Sequence, residues 1–237
     1  MANDYFQFKQ FNIQQDKCAM KVGTDGVLLG AWASVDSCHT ILDIGTGTGL
    51  IALMLAQRSI AVIDALDIDK DAFVQASENV SSSPFANRIQ VYHSSFAGFA
   101  ASAKKKYDLV VSNPPYFVQS LKSPDNKKNL ARHTDTLPLP DLLSGAKSLL
   151  APNGRIAIIL PVQREDELRD ITTKNNLHIM KQTIVYPTPE ARPKRLLVEL
   201  SANAPASTVS NSFVIETTRH HYTPEYTTLA KDFYLKM

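Results

Sequence analysis

Cysteine is nearly absent: Cys18 and Cys38 are the only two, they form no CxxC pair, and no histidine cluster stands near them at metal-ligand spacing. That argues against a zinc site and a disulfide framework, and fits buried thiols in a reducing cytosol. Long apolar runs are missing as well, since none approaches the roughly 18 residues needed to span a bilayer. The opening residues, MANDYFQFKQ, lack the basic stretch and apolar core of a secretory leader. A soluble, cytoplasmic protein with no membrane partner and no metal is expected. Charge of one sign is also in short supply: the formal net charge is +2 with 20% charged residues, a balance that identifies no partner. There is no internal repeat, low-complexity tract or linker. What remains is a chain of 237 residues, 44% hydrophobic, long enough to bury one sizeable core.

Residues 5 to 13, YFQFKQFNI, alternate around Phe6 and Phe8 and predict a short strand or hairpin ahead of the main domain. From residue 41 the pattern changes. Short apolar runs such as ILDI, AVIDALDI, IQVYH, YDLVVS and RIAIILP alternate with segments of helical spacing, among them LIALMLAQR and KDAFVQASENV. That alternation predicts a doubly wound α/β domain whose mostly parallel sheet is covered on both faces. Residues 1–40 are then an N-terminal extension packed on the substrate and cofactor side of the core, and 41–237 the domain itself. Beyond Asn175, HIMKQTIVYP and KRLLVELSAN read as an antiparallel strand pair closing the same sheet. A last strand near Ser212 to Glu216 and a helix from Pro224 complete the chain.

Two segments point to a ligand. In ILDIGTGTG, Ile41 to Gly49, an apolar strand ends at Asp43, and Gly45, Gly47 and Gly49 precede a helix. Glycines let a backbone turn sharply and lie against a ligand with no Cβ in the way, at the strand ends where open α/β sheets bind. The dinucleotide fingerprint needs a further glycine where Leu50 stands, and no GK[ST] follows, which argues against nicotinamide and nucleoside triphosphates. ALDID, residues 65–69, ends the next strand about 20 residues later. Asp67 is placed there to accept hydrogen bonds from both hydroxyls of a ribose, and Ile68 to press on one face of an adenine ring. Asp69 reads as the N-cap of the following helix.

The third segment is Asn113-Pro114-Pro115-Tyr116, directly after the strand YDLVVS. Two prolines end the strand and keep Asn113 out of helical geometry, so the tetrad forms a rigid loop at the same sheet edge. Such a loop suits a planar amine. An adenine NH2 is a weak nucleophile because its lone pair is delocalised, and no side chain is basic enough to deprotonate it beforehand. The Asn113 side-chain oxygen and the Pro114 carbonyl can each accept one N–H. Those bonds tighten as positive charge reaches the nitrogen, stabilising the transition state more than the ground state. Tyr116 would stack on a flipped-out base.

Together ILDIGTGTG, ALDID and VVSNPPYF resemble the class I amino-methyltransferases. More narrowly, KVGTDGVLLGAWA at residues 21 to 33, NPPYF followed by SLKSPDNKKNLARHTDTL, and ARPKRLLVEL are similar to the bacterial tRNA(Val) adenine-37 N6-methyltransferases. The resemblance covers nearly the whole chain. It implies a seven-stranded sheet, S-adenosyl-L-methionine as methyl donor and the tRNA anticodon loop as substrate. It also sets Thr24 and Asp25 beside the methionine end of the cofactor, although either residue can equally be read as a helix cap. Many relatives carry an acid after the third strand to hold the cofactor's adenine, whereas HSSF offers Ser95 followed by Phe96. Ser94 or a backbone group is the alternative.

Three basic clusters bear on RNA: Lys104 to Lys106, read as solvated surface, and Lys122 to Arg132 and Arg192 with Lys194 and Arg195, read as phosphate contacts. His220 and His221, being adjacent, would point to opposite faces of a strand and receive no role. Methylation of N6 of a tRNA adenine by a monomer is the leading reading. Methylation of a protein glutamine amide, whose planar NH2 suits the same cradle, and a non-catalytic RNA-binding protein of the same fold are the alternatives.

Overall fold

The apolar runs become strands and the segments of helical spacing become the helices that cover them. A computed structural model describes residues 3–18, 20–115 and 137–237. A hairpin of β1 (Tyr5–Gln7) and β2 (Asn12–Gln14) precedes α1 (Thr24–Trp32). Strand and helix then alternate through β3 (Thr40–Ile44), α2 (Leu50–Arg58), β4 (Val62–Asp67), α3 (Lys70–Ser81), β5 (Ile89–His93), α4 (Phe96–Ser102) and β6 (Tyr107–Ser112). The described chain resumes before α5 (Leu139–Leu149), β7 (Leu150–Pro161), α6 (Glu165–Lys174), β8 (His178–Tyr186), β9 (Arg195–Ser201) and β10 (Val209–Val214). A second hairpin, β11 (Glu216–Thr218) and β12 (His221–Tyr222), leads into α7 (Pro224–Ala230).

The main sheet runs β10-β8-β9-β7-β6-β3-β4-β5, and all neighbours are parallel except those of β9, which opposes both β7 and β8. The doubly wound, mostly parallel class and the antiparallel pairing of HIMKQTIVYP with KRLLVELSAN both hold. The sheet has eight strands, one more than the resemblance implies. The addition is β10, which pairs with β8 in parallel from Val209 opposite Lys181 to Val214 opposite Tyr186.

Side-chain alternation divides the core between the two faces. Ile41, Ile63, Leu109 and Val111 join Val27, Leu53 and Met54 on the α1–α2 side, while Leu42, Ile44, Leu66 and Val110 join Leu139, Leu143 and Leu168 on the α5–α6 side. Helices α1 and α2 approach so closely that a Cβ added at Gly30 would lie 2.8 Å from Sδ of Met54. The N-terminal hairpin is tied to α3, where Asn79 Oδ1 accepts from Gln14 N at 2.8 Å and Nδ2 donates to Gln14 O at 2.9 Å. Among the described residues no helix is long and apolar enough to cross a membrane, and no group of three or more His, Cys, Asp or Glu could hold a metal ion.

Candidate active site

The ends of β6, β3, β4 and β5 stand side by side and bring three of the sequence segments to one edge. Ile44, the last residue of β3, pairs with Leu66 of β4 and with Ser112 of β6. Gly45 N and Thr46 N donate to Leu66 O at 2.9 and 3.0 Å, so the glycine loop starts against β4. On its other side Ser112 Oγ donates to Ile44 O at 2.8 Å, fixing the strand that delivers Asn113. Gly45, Gly47 and Gly49 all adopt positive φ, +70°, +58° and +83°, a region costly for residues with a Cβ. Among the described residues a Cβ at Gly45 or Gly47 would meet nothing within 4 Å, whereas at Gly49 it would touch Ala76 at 3.5 Å. Gly49 instead caps α2 in left-handed geometry.

Asp43, one of the candidate cofactor-binding residues, lies beneath this loop. It is fully buried, and its Oδ2 accepts from Thr46 Oγ1 at 2.6 Å. Burial outweighs that bond and raises its carboxyl pKa from 3.8 to about 7. The folded protein therefore holds this proton over a range where the unfolded chain has lost it. The resulting contribution to stability is complete below about pH 4 and disappears as pH rises through about 7. The stability of Asp43→Asn relative to the parent protein is expected to improve by about 2–3 kcal/mol between pH 5 and pH 8 in urea unfolding. Parallel pH profiles for the two proteins would show that Asp43 is already ionised in the fold at pH 5.

At the end of β4, Asp67 is half-buried. Its Oδ2 accepts from Gly47 N and its Oδ1 from Asp69 N, both at 2.9 Å. Burial, the largest influence, pushes its carboxyl pKa above the ordinary value despite those bonds. Ile68 is 49% exposed next to it, an apolar side chain presented to solvent at the mouth of the sheet. Asp69 caps α3 as expected, accepting from Asp71 N at 2.8 Å and Ala72 N at 2.9 Å. Ser94 N donates to Asp67 O, which sets the start of α4 beside this site. Ser95 is the N-cap of α4, its Oγ accepting from Gly98 N at 3.1 Å. Phe96 is buried in the α5 side of the core, so close that a Cβ at Gly145 would lie 2.5 Å from its ring. It packs α4 onto α5.

Asn113 is half-buried, Pro114 buried and Pro115 exposed, directly after β6. Tyr116 and the Lys122 to Arg132 cluster lie outside the described residues. Thr24 and Asp25 do not cap α1, because the N-cap is Gly23 in extended geometry with no side-chain bond. Asp25 instead receives Arg195 Nε on both carboxylate oxygens, at 2.8 and 2.9 Å. Arg195, read as a phosphate contact, is thus held in an ion pair with Asp25, while Arg192 and Lys194 are exposed in the turn before β9. Lys104 to Lys106 precede the first residue of β6, at the opposite edge from Asn113, and Lys105 is paired with Asp64 at 2.9 Å.

Sequence reasoning missed the buried amides of α3. Asn79 Nδ2 donates to Thr48 O at 2.8 Å and Gln75 Oε1 accepts from Lys17 N at 2.9 Å, joining the glycine loop and the N-terminal segment to one helix. Their signal was present: Gln75 and Asn79 are four residues apart on the face that also buries Ala72, Ala76 and Val80.

Residues 26–175 match the family model described as methyltransferase small domain. Over the full length of both chains the sequence is 60% identical to a protein of Parabacteroides distasonis named tRNA1(Val) (adenine(37)-N6)-methyltransferase. It is 48% identical, again over all of both chains, to a protein of the same name from Bacteroides fragilis. Among solved structures, a predicted O-methyltransferase from Agrobacterium tumefaciens superposes with a TM-score of 0.69 at 19% identity, covering 88% of this chain and 96% of that one. That likeness concerns the fold.

Proposed function

Because the chain belongs to the methyltransferase small-domain family, and within it to the bacterial tRNA1(Val) (adenine(37)-N6)-methyltransferases, we propose that it methylates N6 of adenine 37 in the anticodon loop of tRNA1(Val). The donor is S-adenosyl-L-methionine. The observation that carries the reading is the adjacency of Asn113 and Pro114, after β6, to the glycine loop after β3, where no described residue lies within 4 Å of a Cβ added at Gly45 or Gly47. In this reading the enzyme is a monomer of the cytoplasm that needs no metal. Residues 41–237 carry the catalytic core, and residues 1–40 are an extension on its cofactor side.

The chain's own residues suit this donor. Gly45 and Gly47 offer bare backbone, Asp67 keeps lone pairs beyond the two already engaged, and Ile68 supplies an exposed apolar surface. When bound, the cofactor supplies a methyl group made electrophilic by its sulfonium. Asn113 Oδ1 and the Pro114 carbonyl accept the two N–H groups of the adenine, drawing the amine out of conjugation and turning its lone pair toward the cradle. Both acceptors bind the nitrogen more strongly as it becomes cationic, which lowers the barrier. The new N–CH3 bond would form as the methyl's bond to sulfur breaks, and the surplus proton on the nitrogen would then pass to solvent water. Tyr116 is assigned the stacking face for the extruded base on sequence grounds.

Nucleoside analysis of tRNA from cells with and without the gene tests this directly. N6-methyladenosine is expected at position 37 of tRNA1(Val) only when the protein is present. Methyl transfer to a glutamine of a protein substrate, with tRNA left untouched, would overturn the reading.

A further inference from the structure

We propose that Arg195 is a positioning residue of the methyl-transfer site: by holding Asp25 it fixes the first turn of α1 across the space between Asn113 and the glycine loop. The proposal rests on the methyltransferase reading above. Arg195 opens β9 opposite Pro161, the last residue of β7, and β7 in turn neighbours β6. Its Nε reaches both carboxylate oxygens of Asp25, at 2.8 and 2.9 Å. The side chains are only 29% and 22% exposed, so water and salt screen the pair less than they screen a surface ion pair.

One residue further along α1, a Cβ at Gly26 would lie 3.0 Å from Cδ2 of Leu50, the first residue of the helix that follows the glycine loop. The turn is thus fastened at two points, to β9 on one side and to the start of α2 on the other. Between β9 and β3 in the sheet lie β7 and β6, so the turn bridges the strand ends that carry Asn113 and the glycines. Gly23 gives this helix start no side-chain cap, and the Arg195–Asp25 pair serves as its polar tether. The two residues are 170 positions apart, which makes the tether a purely tertiary device.

The test compares Arg195→Ala, Asp25→Asn, their double variant and the milder Arg195→Lys. Each is titrated with S-adenosylhomocysteine by calorimetry and with tRNA over a range of salt. Either single loss is expected to weaken S-adenosylhomocysteine binding about tenfold and to raise the cofactor KM more than it lowers kcat. The double variant should lose no more than the single ones, because one interaction is being removed twice. The salt slope of tRNA affinity should stay at the parent value, since a lost phosphate contact would reduce it by about 0.7–0.9. Parent-like S-adenosylhomocysteine affinity in Arg195→Ala sinks the proposal, and the same result with a reduced salt slope makes Arg195 a phosphate contact. If Arg195→Ala fails to fold, Arg195→Lys and Asp25→Asn decide in its place, and parent-like affinity in both is fatal. Loss of tRNA binding or methylation by the parent protein itself would instead defeat the substrate reading and leave this cofactor-side role standing.

Discussion

Asn113→Ala is expected to lower kcat by roughly 100- to 1000-fold, the scale seen when one preorganised polar group aimed at developing charge is removed. Cofactor affinity should change by less than about threefold, under 1 kcal/mol. The split follows from where Asn113 stands. It comes after β6, across β3 from the Asp67 side of the site, so it can act on the amine without touching the ribose end of the cradle. Pro114 retains its carbonyl in the variant, so one of the two acceptors survives and residual turnover is expected. Steady-state kinetics with tRNA, together with calorimetry for the cofactor, makes the comparison. A kcat within tenfold of the parent enzyme would remove Asn113 from the proposed clamp.

Asp67→Ala should have the opposite signature. Cofactor Kd is expected to rise about tenfold to a hundredfold, equivalent to roughly 1.5–3 kcal/mol for a lost charge-assisted hydrogen bond. Turnover at saturating cofactor should stay close to that of the parent. The geometry adds a second source for the loss: the carboxylate also receives Gly47 N and Asp69 N, and alanine leaves both donors without it. Asp67→Asn, which keeps one acceptor oxygen for one of those amides, should fall between the two. Unchanged affinity in the alanine variant, measured by calorimetry, would rule out Asp67 as a cofactor ligand.

Much of the site was legible in the chain because its parts are governed by local rules. A proline pair ends a strand wherever it occurs, and a left-handed turn before a helix asks for glycine, so the loops at Gly45–Gly49 and Asn113–Pro115 could be placed from residue types. Asp69 was readable for the same reason, since an N-cap bond spans only two or three residues. Asp43 shows the limit. Its strand-end position is legible, but whether such a side chain lies at the mouth or beneath the loop depends on what packs over it. The burial of Phe96 against α5 was likewise not legible from the chain.

The sequence by itself determined the fold class and the three turns of the candidate site, since hydrophobic periodicity and backbone sterics act over a few residues. Tertiary structure alone decided which charges of distant segments meet. Asp25 and Arg195 find each other across 170 positions because β9 reverses direction and brings its first residue back beside β7. No local rule carries that information: an ion pair between distant segments exists only once the sheet order has placed them together.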